Sequence, residues 1–391
     1  MKTPLTQSNM AKFKIYLPFI FFTLLMCSIA IFRAGAQQGT GWWYTLEQGK
    51  KSFREGSFGD ALLSFEDARR QRQAMYERME KDLIEMMSLP EVRRLGDSLE
   101  RVDTFSRERR YDKAAAAFDE LYYRLPRESF KNSAKAALQA FGGLKSYPEA
   151  EYWIGECYWA EGEPELALLQ FKKAYDHRDL SEKADFGIEL LYKIAEIRKA
   201  KQEYVEMERS LLLILANDSL WSPDGRGKSN ENSFIRNAMA RTMGSEGTGR
   251  FLSMYRYDNT QFELAHRLLG LYYYSTGRHS RAVEHLMFSF LIQNSVIIGE
   301  VSLHEYDYSF TSLEALAGEI KQYPLIADYI EKIDYYKTIY YLGSSLYAEG
   351  KLGPARGLWS FLASFSPQGE WKNRALQQLG QPRVERAVEM P

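Results

Sequence analysis

This chain of 391 residues has few cysteines and no excess of positive charge. Its two cysteines are too few for a disulfide scaffold. The 51 Lys and Arg against 52 Asp and Glu give a net charge of −1, which argues against a dedicated nucleic-acid binder. Apolar residues make up 45% and charged residues 26%, an ordinary globular composition that excludes a disordered chain and a polytopic membrane protein.

Sequence motifs of catalysis and metal binding are missing as well. The five histidines show no H-E-x-x-H or comparable ligand spacing. Gly227-Lys228-Ser229 matches the end of a phosphate-binding loop, but Ser222 stands where that loop requires a glycine. Cys157 lies in an apolar helical pattern and is interpreted as a packing residue. We therefore predict no catalytic, cofactor-binding or metal-binding residues.

An uncharged apolar run occupies residues 15–32, after a basic segment that carries three lysines and no acid. Arg33 and the small residues Ala34-Gly35-Ala36 follow it. A basic segment, an apolar run and an A-x-A end are typical of a secretory signal peptide. The run is also close to the lower length limit of a membrane-spanning helix. Residues 1–36 are thus predicted to be a cleaved signal peptide or an uncleaved signal anchor.

A lipoprotein attached at Cys27 is a third interpretation, which Met26 disfavours because the preceding position requires a smaller residue. All three interpretations predict an exported chain, periplasmic or membrane-anchored and facing away from the cytoplasm. Contact with the membrane is then expected only through the N-terminal segment, if it is uncleaved. Removal of residues 1–36 leaves Cys157 as the single cysteine, so the mature chain has no intramolecular disulfide.

The spacing Gly-x6-Gly-x4-Ala is repeated along the chain, at Gly49, Gly155, Gly270 and Gly343. Four occurrences in one sequence indicate an internal repeat. In the last of them, apolar residues at helical spacing precede Gly350, where the chain is expected to turn, and a second apolar stripe begins at Ala355. The repeat is therefore predicted to be a helical hairpin with small residues where its helices meet.

These hairpins resemble the tetratricopeptide repeat, which reads L-G-x2-Y, then A-x3-F, then P. The best match contains Ile154-Gly155, Tyr158, Ala167 and Phe171. Two further repeats are degenerate: one has Val102 in place of the glycine, and the other has Ala195 and Met207 in place of the glycine and the alanine. The tryptophan that opens the family pattern is absent from every repeat. The resemblance implies an all-α solenoid, an α-α superhelix of TPR-type hairpins with helical insertions.

Composition divides the chain further. The segment 222–258 is polar and rich in glycine over most of its length, which predicts a flexible loop or hinge. It separates an N-terminal repeat block, 37–221, from a C-terminal block, 259–380. The C-terminal block is expected to contain a degenerate hairpin around 313–333 and a capping helix at 371–379. Residues 381–391 are predicted to be a loose tail.

The resemblance also implies where a partner binds, because the first helices of such repeats line a concave groove. Family positions place there the side chains of Trp43, Tyr152, Trp159, Arg267, Tyr274, Tyr340 and Tyr347. An aromatic stripe on a groove is suited to an extended peptide or a partner helix. The competing interpretation is that these rings pack against the inserted helices or the next repeat.

Together these patterns predict an exported scaffold or adaptor of the cell envelope that binds other proteins in its groove and catalyses no reaction. No nucleic-acid partner and no cofactor are expected. A ligand-binding protein or an enzyme with its site in the insertions at 222–335 is the alternative. An oligomeric structural protein of the envelope is a third interpretation.

Overall fold

The computed structural model describes residues 41–87, 146–181, 183–221 and 229–385, with a few positions between 101 and 117. The predicted signal segment, most of the degenerate repeat around Val102, residues 222–228 and the last six residues lie outside this part of the chain. The described residues are mostly helical and contain no strand. The all-α prediction is therefore confirmed.

The helices of the first half are α1 (Trp42–Arg54), α2 (Phe58–Met87), α3 (Pro148–Ala160), α4 (Pro164–Asp176), α5 (Phe186–Ala200) and α6 (Tyr204–Leu215). Those of the second half are α7 (Ser229–Met254), α8 (Glu263–Ser275), α9 (His279–His304), α10 (Leu313–Ile320), α11 (Pro324–Lys332), α12 (Tyr335–Ala348), α13 (Leu352–Phe365) and α14 (Glu370–Gly380). Short 3-10 turns lie at Arg178–Leu180 and Thr260–Phe262.

The first glycine of each repeat lies where its two helices approach most closely. A Cβ atom at Gly49 would come within 2.5 Å of Phe65, and one at Gly155 within 2.9 Å of Phe171. The same holds for Gly270, at 2.5 Å from Leu286. In each case the opposing side chain lies four residues after the repeat alanine, so the A-x3-F part of the motif packs against the glycine. The predicted small-residue contact is confirmed.

The second glycine of each repeat makes the turn between the helices. Gly56, Gly162, Gly277 and Gly350 have φ of 79°, 80°, 74° and 75°, a left-handed conformation that L side chains rarely adopt. The residue after each glycine donates its N–H to a carbonyl five residues earlier, as in Glu163 to Tyr158 at 2.8 Å. This is the hydrogen bond of a Schellman motif, which ends the first helix.

The degenerate repeat at Ala195 keeps this turn without a glycine. Gln202 has φ of 61°, and Glu203 donates its N–H to Arg198 O at 2.8 Å. Met207 replaces the repeat alanine and is fully buried. The α5–α6 turn therefore follows the same rule as the other repeats, as the sequence predicts, with a strained side chain at the turn.

The chain divides into two compact units, residues 1–190 and 191–391, whereas the sequence predicted a boundary at 222. The earlier boundary arises because α6 packs against α8. Tyr204 stacks on Tyr272 with ring centroids 6.1 Å apart. Tyr273 Oη donates to Glu208 Oε1 at 2.7 Å. Residues 191–221 thus belong with the C-terminal repeats.

Most of the segment predicted to be a loop forms a helix instead. Helix α7 runs from Ser229 to Met254 and is interrupted at Gly247, where φ is 83°. It packs against α9 and α13, and its buried side chains include Met239, Met243 and Phe251. The few apolar residues of this face are separated by polar residues and glycines, so the composition of the segment did not indicate a helix. The loop prediction is wrong for residues 229–254, and a hinge motion there stays a prediction.

The end of the second unit agrees with the sequence. Helices α10 and α11 form the hairpin that was expected around 313–333, and α14 is the capping helix. Helix α9 is long and apolar enough to cross a membrane, but 72% of its most apolar stretch is buried among the other helices. That burial is typical of the core helix of a globular unit.

Candidate functional site

Three helices of the second unit present the side chains of the candidate site. Tyr274 lies near the end of α8, and Tyr340 and Tyr347 lie on α12. Because Tyr340 and Tyr347 are seven residues apart, they lie on one face of α12, two turns from each other. Helix α14 follows the last repeat and packs against both α12 and α13. It contributes Arg374 and Gln378, which are four residues apart and share one face.

The chain's own residues 381–385 lie across these side chains. We call Tyr274, Tyr340, Tyr347, Arg374 and Gln378 the tail groove, and residues 381–385 the tail segment. The tail segment is not helical. Every one of the five groove side chains makes a hydrogen bond to it. The predicted loose tail is therefore wrong for residues 381–385, since polar side chains of the repeats and the capping helix hold them.

Most of these hydrogen bonds are made to backbone groups of the tail segment. The Gln378 amide donates to Arg383 O at 3.1 Å and accepts from Arg383 N at 2.9 Å, so it pairs with both polar groups of one residue. Tyr347 Oη donates to Pro382 O at 3.1 Å. The backbone N–H of Glu385 donates to Tyr274 Oη at 3.4 Å. Contacts of this kind recognise a peptide chain whatever its side chains are.

One side chain of the tail segment is recognised, and it is a carboxylate. Tyr340 Oη donates to Glu385 Oε1 at 2.7 Å, and the Arg374 guanidinium binds Glu385 Oε2. Arg374 lies over the Tyr340 ring at 4.5 Å from its centroid and also binds Glu370 at 2.8 Å. The side chains of Arg374 and Glu385 are 23% and 17% exposed, so the ion pair is largely shielded from water.

The tyrosines act here as neutral hydrogen-bonding groups. Burial raises the pKa of Tyr274 well above its ordinary value, and burial also raises the pKa of Tyr340. Both phenols therefore keep their protons at neutral pH. Tyr340 can donate to a carboxylate, as it does to Glu385, and Gln378 Nε2 donates to the same hydroxyl at 3.2 Å.

The structure brings together three of the seven residues that the sequence assigned to partner binding, namely Tyr274, Tyr340 and Tyr347. Arg267, the fourth in this unit, lies elsewhere. Its guanidinium binds Glu263 at 3.1 Å and Asp334 at 2.5 Å, and the buried Glu263 also accepts hydrogen bonds from Ser289 and Gln293. Arg267 thus belongs to an internal ion-pair network, where removing one partner leaves a buried charge uncompensated.

The other three candidates lie in the first unit. The indole of Trp43 on α1 is 60% exposed. Tyr152 on α3 packs edge-on against Phe171 and contacts Phe186, as a ring between hairpins does. Trp159, near the end of α3, is half-buried. Their role toward a partner stays a prediction.

Sequence reasoning missed Arg374, Gln378 and the tail segment. The sequence does contain a signal for Arg374 and Gln378. They have helical spacing on the helix that follows the last repeat, at the position where the first helix of another repeat would stand. The tail itself carries no periodicity that would have predicted its position. Its contacts are tertiary, and a search for repeats does not detect them.

A second polar cluster lies in the core between α8 and α9. His266 Nδ1 and His285 Nδ1 are 3.1 Å apart, and the Trp221 ring stacks on His285 at 4.6 Å. Burial lowers the pKa of His266 well below its ordinary value and lowers the pKa of His285 to about 3. Both rings are thus neutral at physiological pH. The described residues contain no group of three or more side chains suited to a metal ion.

No family model matches this chain. It is 25% identical over 339 residues to an uncharacterized protein of Treponema pallidum, a match that covers 86% of this chain and 89% of that protein. It is 21% identical over 215 residues to an uncharacterized protein of Borreliella burgdorferi, covering 52% of this chain and 66% of that protein. Among solved structures, the P58(IPK) TPR domain covers 87% of this chain at 15% identity, with a TM-score of 0.17. That score adds nothing to what the helices themselves show.

Proposed function

We propose that this chain is an exported helical-repeat scaffold that holds a segment of another protein in the tail groove. The observation that carries the proposal is the occupancy of that groove. A non-helical segment lies on Tyr274, Tyr340 and Tyr347, three of the residues that the repeat pattern assigned to partner binding. The hydrogen bonds that hold this segment support the proposal, because a peptide from a partner offers the same backbone groups.

The mechanism is recognition on a preformed frame. Stacked helical hairpins keep their first helices in fixed register, so the groove side chains need little ordering when a peptide arrives. The tyrosine rings supply buried area at small entropic cost, and Gln378 and Tyr347 satisfy backbone groups. Affinity then arises from these contacts without bond making or bond breaking.

The export part of the proposal is supported by the pattern in residues 1–36. A reporter enzyme that requires disulfide formation, fused after residue 60, is expected to be active only when the fusion leaves the cytoplasm. N-terminal sequencing of the mature protein distinguishes a cleaved signal, with Gln37 first, from an anchor that retains residues 1–36. A second fusion carries a reporter that needs no disulfide. Export would be contradicted if this second reporter were active in the cytoplasm while the disulfide-requiring reporter stayed inactive.

Partner binding is tested by photocrosslinking in the cells that produce the protein. A benzoylphenylalanine replaces Tyr347, a half-buried groove aromatic whose ring shape it approximates. The matched control carries the same group at Tyr306, which is fully exposed in the same compact unit. We expect a discrete adduct with another protein at 347 and none at 306. Identical adducts at both positions, or no adduct at 347, would refute the scaffold proposal.

A further inference from the structure

The contacts of the tail segment define the chemistry that the tail groove selects. The hydrogen bonds of Gln378, Tyr347 and Tyr274 to the tail all go to backbone groups, so they set the path of the chain and not its sequence. The side chains of Arg383 and Val384 are exposed. The groove therefore accepts different residues at these two positions.

The position of Glu385 is different. Its carboxylate receives both an Arg374 guanidinium and the Tyr340 hydroxyl, and a carboxylate bound by two donors makes stronger hydrogen bonds than a neutral amide would. The Tyr340 ring beneath Arg374 further fixes the guanidinium. If the bound segment had no acidic residue at this position, the shielded guanidinium of Arg374 would lose one of its two carboxylate partners and keep only Glu370.

The tail segment lies outside the helix packing of the repeats. All five groove residues lie on helices α8, α12 and α14, and the tail segment contributes no helix to the packing. It begins directly after α14, so it meets the groove at a high effective concentration. An external segment with the same chemistry has to compete with it.

We propose that the tail groove binds non-helical segments of a partner protein that carry a carboxylate at one position, and that residues 381–385 are an intramolecular competitor for the same site. This inference rests on the scaffold function proposed above and adds the chemical class of the partner. The partner presents a carboxylate at the position of Glu385 and leaves the two preceding side chains in solvent. The partner segment then replaces the tail segment in the tail groove, so the two cannot be bound at the same time.

The test uses fluorescence anisotropy of a labelled, C-terminally amidated peptide with the sequence of residues 380–385. The full chain is compared with its Glu385→Arg variant, in which the tail's new cation is repelled by Arg374. We expect the variant to bind the peptide at least tenfold more tightly than the unmodified chain, because the competitor is displaced. Val384→Arg, which places the same cation one position earlier on an exposed side chain, is the matched control and should bind like the unmodified chain.

Specificity is measured on the same Glu385→Arg chain. A peptide with glutamine in place of the glutamate should bind at least tenfold more weakly than the original. Adding Arg374→Gln to the chain should abolish this difference between the two peptides. If Glu385→Arg fails to fold, as judged by circular dichroism, Glu385→Gln in the tail replaces it, with the same direction expected.

Three results would overturn the proposal: no binding of the peptide to the released chain, equal binding of the two peptides, or equal binding by the released and unmodified chains. Dimers of the unmodified chain that disappear in Glu385→Arg would assign the groove to the tail of a second copy instead. Peptide discrimination without any photocrosslinked partner at 347 would refute the scaffold function and leave only the selectivity of the groove for a carboxylate. A crosslinked partner without peptide discrimination would refute only this inference.

Discussion

Adding one methyl group at the contact between α8 and α9 tests the repeat packing directly. A Cβ at Gly270 would lie 2.5 Å from Leu286 Cγ and 3.1 Å from the backbone N of Leu286. Because one of the obstructing atoms belongs to the backbone, a change of rotamer at Leu286 cannot remove the clash, and α8 and α9 must move apart. Overpacking of this kind costs ~1–3 kcal/mol. Alanine recovers about 0.5–1 kcal/mol of helix propensity relative to glycine, so the net loss for Gly270→Ala lies within about 0–2.5 kcal/mol.

The matched control is Gly299→Ala in the same hairpin. Gly299 lies inside α9, and no atom lies within 4 Å of the position that an alanine Cβ would take there, so only the propensity gain of about 0.5–1 kcal/mol applies. Urea unfolding of the two variants, followed by circular dichroism, should therefore place the Gly299→Ala midpoint above that of the unmodified chain and the Gly270→Ala midpoint below it. A Gly270→Ala chain as stable as the Gly299→Ala chain would refute the assigned contact.

Three further predictions concern other positions. Burial lowers the pKa of His266 and His285 below the unfolded value, so the free energy of unfolding should be maximal above pH 6.5 and fall toward pH 3. At pH 5 the loss due to His285 should be about 2 kcal/mol, measured by urea titration. A free energy of unfolding that does not change with pH over this range would contradict the prediction. Burial raises the pKa of Cys157 to about 12, so a thiol reagent should label it only after unfolding, and prompt labelling of the folded chain would contradict this. Gln202→Gly should raise the free energy of unfolding and Gly350→Ala should lower it, each by about 1 kcal/mol, since both turns need a left-handed residue; opposite signs would refute the shared turn.

The repeat hairpins could be predicted because their determinants are local and recur at fixed spacing. Gly350 makes a turn that an L side chain resists, and Gly343 leaves room for Trp359 on the facing helix. Each requirement is met by one residue at one position, so the spacing alone reveals it. Gln202 shows the limit of such reasoning, because there the turn persists after the glycine has been replaced.

The boundary between the compact units and helix α7 could not be predicted, for a different reason. Composition around Gly247 indicates a loop, but Met239 and Phe251 are buried against α9 and α13, and packing outweighs weak local propensity. The boundary in turn depends on contacts such as Tyr204 with Tyr272, which join residues 68 positions apart in the chain. Contacts at that separation leave no periodic trace in the sequence.

The candidate groove shows that the two sequence-based interpretations of its tyrosines were incomplete. Sequence reasoning offered two alternatives for Tyr274 and Tyr340, a core ring or a partner-binding ring, and both alternatives treat burial as a property of the repeat. In the structure their rings are buried and their hydroxyls bind the tail segment, which lies outside every repeat. The rings themselves pack on other helices, Tyr274 on Tyr341 of the next repeat and Tyr340 on Trp371 of α14, whereas the hydroxyl groups meet residues that can be exchanged for others of the same chemistry. At these tyrosines one residue thus supplies both a core ring and a groove hydroxyl, which the two alternatives treated as exclusive.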